Sequence, residues 1–220
     1  MNDKKYLIMS LGTNCLPRTI LTRWKIKPSK SEGELSYPFD LVFHTLPLVV
    51  KCLENDFEDY LSGFYFKIRK RNFLDFRKKG IWYKEDGTGF WHDTDCKIND
   101  REKLEVRIKK RIENFRQAIK SDIPILFVIN IMDNPEYIDK LYKILKKLCS
   151  HKKFKLAVIN FGYLYKNENS EIYSLDLPIP FDGYHGVNGW NSKFKDTNFG
   201  KFTEKCICHF VEEIIKKDFI

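Results

Sequence analysis

Three segments decide the fold class: Ile125-Leu-Phe-Val-Ile-Asn130, Asn134-Pro-Glu-Tyr-Ile-Asp-Lys-Leu-Tyr-Lys-Ile-Leu-Lys-Lys-Leu148 and Lys155-Leu-Ala-Val-Ile-Asn160. The outer two are short, nearly unbroken apolar runs that end in a polar residue, as strands buried on both faces do. The middle one keeps Ile138, Leu141, Tyr142, Leu145 and Leu148 at helical spacing behind an Asn134-Pro135 start. Strand, helix and strand in that order predict a parallel, right-handed unit. Tyr6–Leu11 reads as a further strand of the same kind. Helical patterns cover Leu46–Leu61, Thr203–Lys217 and Arg101–Lys120, the last with Leu104, Ile108, Ile112, Phe115 and Ile119 on one face. Gly80-Ile-Trp-Tyr and Gly87-Thr-Gly-Phe-Trp-His predict a hairpin turning near Asp86-Gly87. The expectation is an α/β fold: one three-layer domain over residues 1–220, with a small, mostly parallel central sheet and an inserted β-hairpin.

Composition narrows the function classes. The chain has 220 residues, 43% hydrophobic and 15% aromatic, enough to build a substantial core. Its formal net charge of +9 is concentrated in Lys67–Lys79, Arg107–Arg111 and Lys146–Lys155. Such clusters could meet phosphate groups, but no nucleic-acid motif accompanies them, so a small-molecule, peptide or glycan partner is expected ahead of nucleic acid. The first residues lack the pattern of a signal peptide, and no apolar run approaches the roughly 20 residues of a membrane span. A cytoplasmic location and six free thiols are the corresponding expectations. Neither a Gly-x-Gly-x-x-Gly nor a P-loop is present, so no cofactor is expected. Cys206-Ile-Cys-His209 falls inside a helical pattern that turns its two thiols to different faces, and no metal site is expected either.

Chemistry concentrates at Cys15. The run Tyr6-Leu-Ile-Met-Ser-Leu-Gly-Thr-Asn-Cys15 places a thiol at the carboxyl end of a strand and at the start of a helix. Open α/β sheets bind ligands at that edge, and a helix N-terminus favours a thiolate. Thr13 or Asn14 can cap the helix, and Pro17 suits its first turn. Two imidazoles could serve as the base: His92, in Phe90-Trp-His-Asp-Thr-Asp95 beside Asp93 and Asp95, and His185, three residues after Asp182 in Pro180-Phe-Asp-Gly-Tyr-His-Gly186. His44, His151 and His209 lack such settings and read as surface or core residues. Asn14, Asn130 and Asn160 end strands on the same edge, where Asn14 and Asn130 could help line an oxyanion site and Asn160 reads as turn chemistry. Asp40, in Ser36-Tyr-Pro-Phe-Asp40, could add an acid near the site.

The succession Ser10-Leu-Gly-Thr-Asn-Cys15, Pro38-Phe-Asp40, Phe90-Trp-His-Asp93, Arg107-Ile-Lys-Lys-Arg-Ile-Glu-Asn-Phe115 and Ile125-Leu-Phe-Val resembles an uncharacterised, mainly bacterial family labelled papain-like cysteine peptidase. The resemblance implies Cys15 as nucleophile and His92 as base, with Asp93 or Asp95 as orienting acid. A papain architecture would set Cys15 on a helical half beside an antiparallel barrel. A second resemblance, to small SGNH/GDSL-type hydrolases, rests on the order Cys15, Asn130 and Asp182-Gly-Tyr-His185, although Cys stands where that family has Ser. The leading reading is a cysteine-dependent hydrolase or acyltransferase acting on an ester, amide or thioester. The alternatives are an SGNH-like esterase or acyltransferase working on surface polysaccharide, and a non-catalytic basic module that binds anionic glycan or nucleic acid.

Overall fold

The computed structural model describes residues 5–68, 80–131, 134–162, 164–166, 168–178 and 196–220. In chain order they form β1 (Leu7–Ser10), α1 (Leu16–Arg23), α2 (Leu46–Glu54), β2 (Phe64–Ile68), β3 (Gly80–Lys84), α3 (Arg101–Lys120), β4 (Ile125–Ile131), α4 (Tyr137–Leu148), β5 (Phe154–Phe161), β6 (Ile172–Leu177) and α5 (Asn198–Asp218). Four strands make a parallel sheet in the order β1-β4-β5-β6, and β2 and β3 make a separate antiparallel pair. The papain arrangement is therefore not the architecture. The open parallel sheet is.

Alternation along the strands sorts the core into two halves. Leu7, Met9, Phe127, Ile129, Leu156 and Val158 pack on one side with buried residues of α2, α3 and α4. Ile8, Leu126, Val128, Ala157, Ile159 and Phe161 pack on the other with Leu16 and Ile20 of α1 and Ile207, Val211 and Ile214 of α5. Helices thus cover both faces, which is why β4 is apolar at nearly every position and buried throughout. The predicted faces of α3 and α4 point into this core: Leu104, Ile108, Ile112 and Phe115 from one, Ile138, Leu141, Tyr142 and Leu145 from the other.

Three elements differ from expectation. The helix predicted over Leu46–Leu61 stops at Glu54, because Asp56 and Phe57 take positive φ values of 49° and 64°. That turn buries the Phe57 ring against Phe39, Tyr60 and Phe115, and the gain in packing outweighs continued helix. The Asp86-Gly87 turn is present, with Gly87 N–H donating to Lys84 O at 3.0 Å and Lys84 N–H to Thr88 O at 2.9 Å. The returning chain, however, adds only the bridge Tyr83↔Gly89 before Gly89 pairs with Phe43. The full-length partner of β3 is β2, whose residues pair from Phe64↔Lys84 to Ile68↔Gly80. The third difference is β6, a strand at the sheet edge whose mixed burial gives it no continuous apolar run.

The opposite edge is β1, whose outward carbonyls have no neighbouring strand among the described residues. Lys27 covers it: its buried ammonium donates to Ile8 O and, at 2.6 Å, to Glu34. All six cysteines are free.

Between β1 and α1 the chain passes Gly12, where no side chain fits. A Cβ there would lie 2.3 Å from Asn14 O and 3.1 Å from Phe39 O, both backbone atoms. Gly12→Ala should cost about 1–3 kcal/mol, read as a lower urea midpoint with an unchanged m-value, because a backbone segment must move to admit the methyl group.

Candidate functional site

The turn Gly12–Cys15 leaves β1 at its carboxyl end, and Thr13 fixes it. The Thr13 hydroxyl donates to Asn130 O at 3.1 Å at the end of β4, and it accepts from Asn130 Nδ2 at 3.3 Å. The Thr13 carbonyl accepts from His44 N–H at 3.0 Å. Asn14 is buried, and its Oδ1 accepts the Leu16 N–H at 2.9 Å. Cys15 is the N-cap residue of α1 and half-buried, and Pro17 occupies the first turn. Burial pushes the Cys15 thiol above its ordinary range, while a hydrogen bond with the Thr19 hydroxyl one turn along α1 partly offsets this. Among the described residues, Cys15 shares no hydrogen bond with an imidazole.

From this turn the contacts run outward through the segments that hold Asp40, His44 and Asn130 and on toward His92, while Asp182 and His185 lie outside the described residues. Gly12 abuts Phe39 O. The adjacent Asp40 is buried, accepts the Tyr37 N–H at 2.9 Å and faces Arg18 Nη1 at 3.7 Å. Burial raises the Asp40 carboxyl, against the pull of Lys27 and Arg18. Phe43 and Gly89 exchange backbone hydrogen bonds of 3.0 and 3.1 Å, which brings the chain that leads to His92 beside His44 and hence beside Thr13.

His92 is exposed, and its imidazolium is disfavoured first by desolvation and then by Arg111, with Asp93 acting in the opposite direction. Asp93 is buried and held by α3. Arg111 forks onto both of its oxygens at 2.7 and 3.0 Å, and Arg107 adds a contact of 2.8 Å. Arg107 also grips the exposed Asp95 with two bonds of 2.7 Å, and Lys103 stands 3.0 Å from it. These hydrogen bonds hold the Asp95 carboxyl well below the usual range. Asp93 shares no hydrogen bond with the His92 ring, so here it anchors the loop and does not orient the imidazole. One helical turn beyond Arg111, Asn114 Nδ2 donates to Ser36 O at 3.1 Å. A single face of α3 therefore pins both the 36–40 loop and the 93–95 loop.

Asn160 is turn chemistry, as expected: its Oδ1 accepts from Leu164 and Tyr165 N–H at 2.9 and 3.1 Å. Asn130 is fully buried and committed to Thr13. Sequence reasoning missed Thr13 as the clasp and read Arg107 and Arg111 as a basic cluster. Their i, i+4 spacing on the Leu104–Ile108–Ile112 helix was the available signal. On α5, Cys208 is buried, Cys206 half-buried and His209 exposed, and no group of three metal-ligating side chains occurs among the described residues.

A family model described as Putative papain-like cysteine peptidase (DUF1796) matches residues 6–164. The chain belongs to this family. The matched span contains Cys15, Asp40, His92, Asp93 and Asn130 and ends before Asp182 and His185. No curated protein and no solved structure matches the chain. Among the described residues, no helix is long and apolar enough to cross a membrane.

His44 is a core residue between Tyr60 (2.9 Å to Nε2) and Thr88 (3.3 Å to Nδ1). Burial pushes its imidazole down to about 3, from an ordinary value of 6.5. Between those values an unfolded chain takes up a proton that the folded chain refuses. Stability is therefore fully present above pH 6.5 and is lost toward about pH 3, at about 1.4 kcal/mol for each pH unit. In urea titrations between about pH 6 and 4, His44→Gln should lose stability less steeply than wild type by about that slope. Parallel slopes would show that His44 titrates freely in the folded state.

Proposed function

We propose that the protein is a cysteine-dependent hydrolase acting on peptide or related acyl substrates, with Cys15 as nucleophile and His92 as general base. The observation that supports this reading is the packing of the 36–44 segment on the Gly12–Cys15 turn, at the carboxyl edge of a parallel sheet, with the chain that leads to His92 tied to that segment by the Phe43–Gly89 pair. Membership of a family described as cysteine peptidases supports the same chemistry. His92 also lies within the matched span, unlike His185.

The electrostatics favour a neutral pair at rest. Burial raises the thiol, and desolvation lowers the imidazole. Neutral His92 can then take the Cys15 proton as the sulfur attacks the substrate carbonyl, and return it to the leaving group. The Leu16 N–H is already used by Asn14, and Pro17 has none, so the Asn14 side-chain amide nitrogen and the backbone N–H groups of Asn14 and Cys15 are the donors this turn can offer to an oxyanion. His44 is no rival base, since both of its ring nitrogens are engaged inside the core.

Cys15→Ala should abolish hydrolysis of a peptide library while changing stability by no more than about 1–2 kcal/mol; full activity in that variant would remove the nucleophile. In wild type, iodoacetamide should label Cys15 ahead of Cys52, Cys149 and Cys208, which burial pushes up to about 12, 11 and 12. His92→Ala should slow Cys15 labelling at pH 7 on the order of tenfold or more. An unchanged rate would assign the base elsewhere.

A further inference from the structure

Arg111 and Asp93 are buried partners beside an exposed imidazole, and Asp93 commits both of its oxygens to arginine. Asp93 is 2% exposed and Arg111 8% exposed, and the guanidinium fork contacts both carboxylate oxygens. Arg111 projects from a helix of 20 residues, at the margin of the same buried face that Leu104, Ile108, Ile112 and Phe115 lock into the core. His92 and Asp93 are adjacent, so the fork fixes the backbone from which the His92 ring projects. Arg107, the other guanidinium on this loop, divides its contacts between Asp93 and Asp95.

We propose that Arg111 and Asp93 form a positioning pair for His92, in which α3 holds the imidazole-bearing loop in register with Cys15 and sets opposite charges beside the ring. The pair deepens the hydrolase reading and rests on it for its catalytic meaning. Its geometry stands without it. The charged groups acting on the His92 ring are Asp93 from its own loop, which favours the imidazolium, and Arg111 from α3, which disfavours it. A scaffold that only held the loop together would lose the same order on removal of either partner. A pair that also sets the charge of the ring responds with opposite signs.

The test is an NMR titration of the His92 ring protons in the full chain, combined with the rate of Cys15 alkylation by iodoacetamide. Arg111→Met removes the repelling cation and should move the His92 titration to higher pH. Asp93→Asn removes the attracting anion, leaves the Arg111 guanidinium uncompensated while Arg107 keeps Asp95, and should move it to lower pH. Shifts of the same sign, or none in either variant, would overturn the pair. Arg111→Lys keeps the charge but loses the fork, so the titration should stay near that of wild type while alkylation slows on the order of tenfold. That variant also serves if Arg111→Met does not fold, and where His92→Ala slows the labelling of Cys15, an unchanged alkylation rate in Arg111→Lys would equally overturn the proposal. Because the ring titration does not involve Cys15, the two readings fail separately. Opposite shifts beside an inert Cys15 keep the pair and discard the nucleophile, and a flat titration beside a reactive Cys15 does the reverse.

Discussion

Thr13 holds the site together. Its hydroxyl binds the end of β4 and its carbonyl binds His44, so one residue ties the Gly12–Cys15 turn both to the sheet and to the segment that precedes α2. A buried backbone group left unpaired costs about as much as a lost hydrogen bond or more, so each of these contacts satisfies a polar group as it fixes geometry. The Gly12 backbone can approach Phe39 only because no Cβ intervenes. Sheet, turn and the following loop are thus held at van der Waals distance, and Cys15 takes its position from all three.

The second constraint is charge. Around this turn the protein buries Lys27 with Glu34, Arg18 beside Asp40, and Asp93 under Arg107 and Arg111. Buried ion pairs repay their desolvation poorly as stabilisers, and removing one partner is costly because the other is left uncompensated. What they supply here is location. The Lys27 ammonium closes the outer edge of β1, and the fork of Arg111 sets the level of the 93–95 loop against α3. A guanidinium with two directed bonds to one carboxylate leaves that loop little rotational freedom.

These two constraints fix the loops around the Gly12–Cys15 turn. About a hundred residues separate α1 from β4, and among the described residues that stretch adds helices to one face of the parallel sheet but no strand to it. It contributes instead the 36–44 segment, which contacts the Gly12–Cys15 turn, and the chain that leads to His92, which the pair Phe43↔Gly89 ties to that segment. Loops on a rigid scaffold commonly carry function, and here the scaffold includes the long α3 as well as the sheet.

The sequence by itself determined the layered α/β class, the strands β1, β4 and β5, the buried faces of α3 and α4, and the place of Cys15 at a strand end. Each of these follows from periodicity within a few neighbouring residues. Tertiary structure alone decided the partner of Gly80–Lys84, the halt of α2 at Glu54, and the commitment of Asp93 to arginine and not to His92. Those outcomes depend on residues distant in the chain. Phe57 leaves the helix because Phe115 waits 58 residues on, and Asp93 turns from its neighbour because Arg111 offers two directed bonds 18 residues later. Local pattern carries no information about such encounters, since their free energy exists only once the chain has folded.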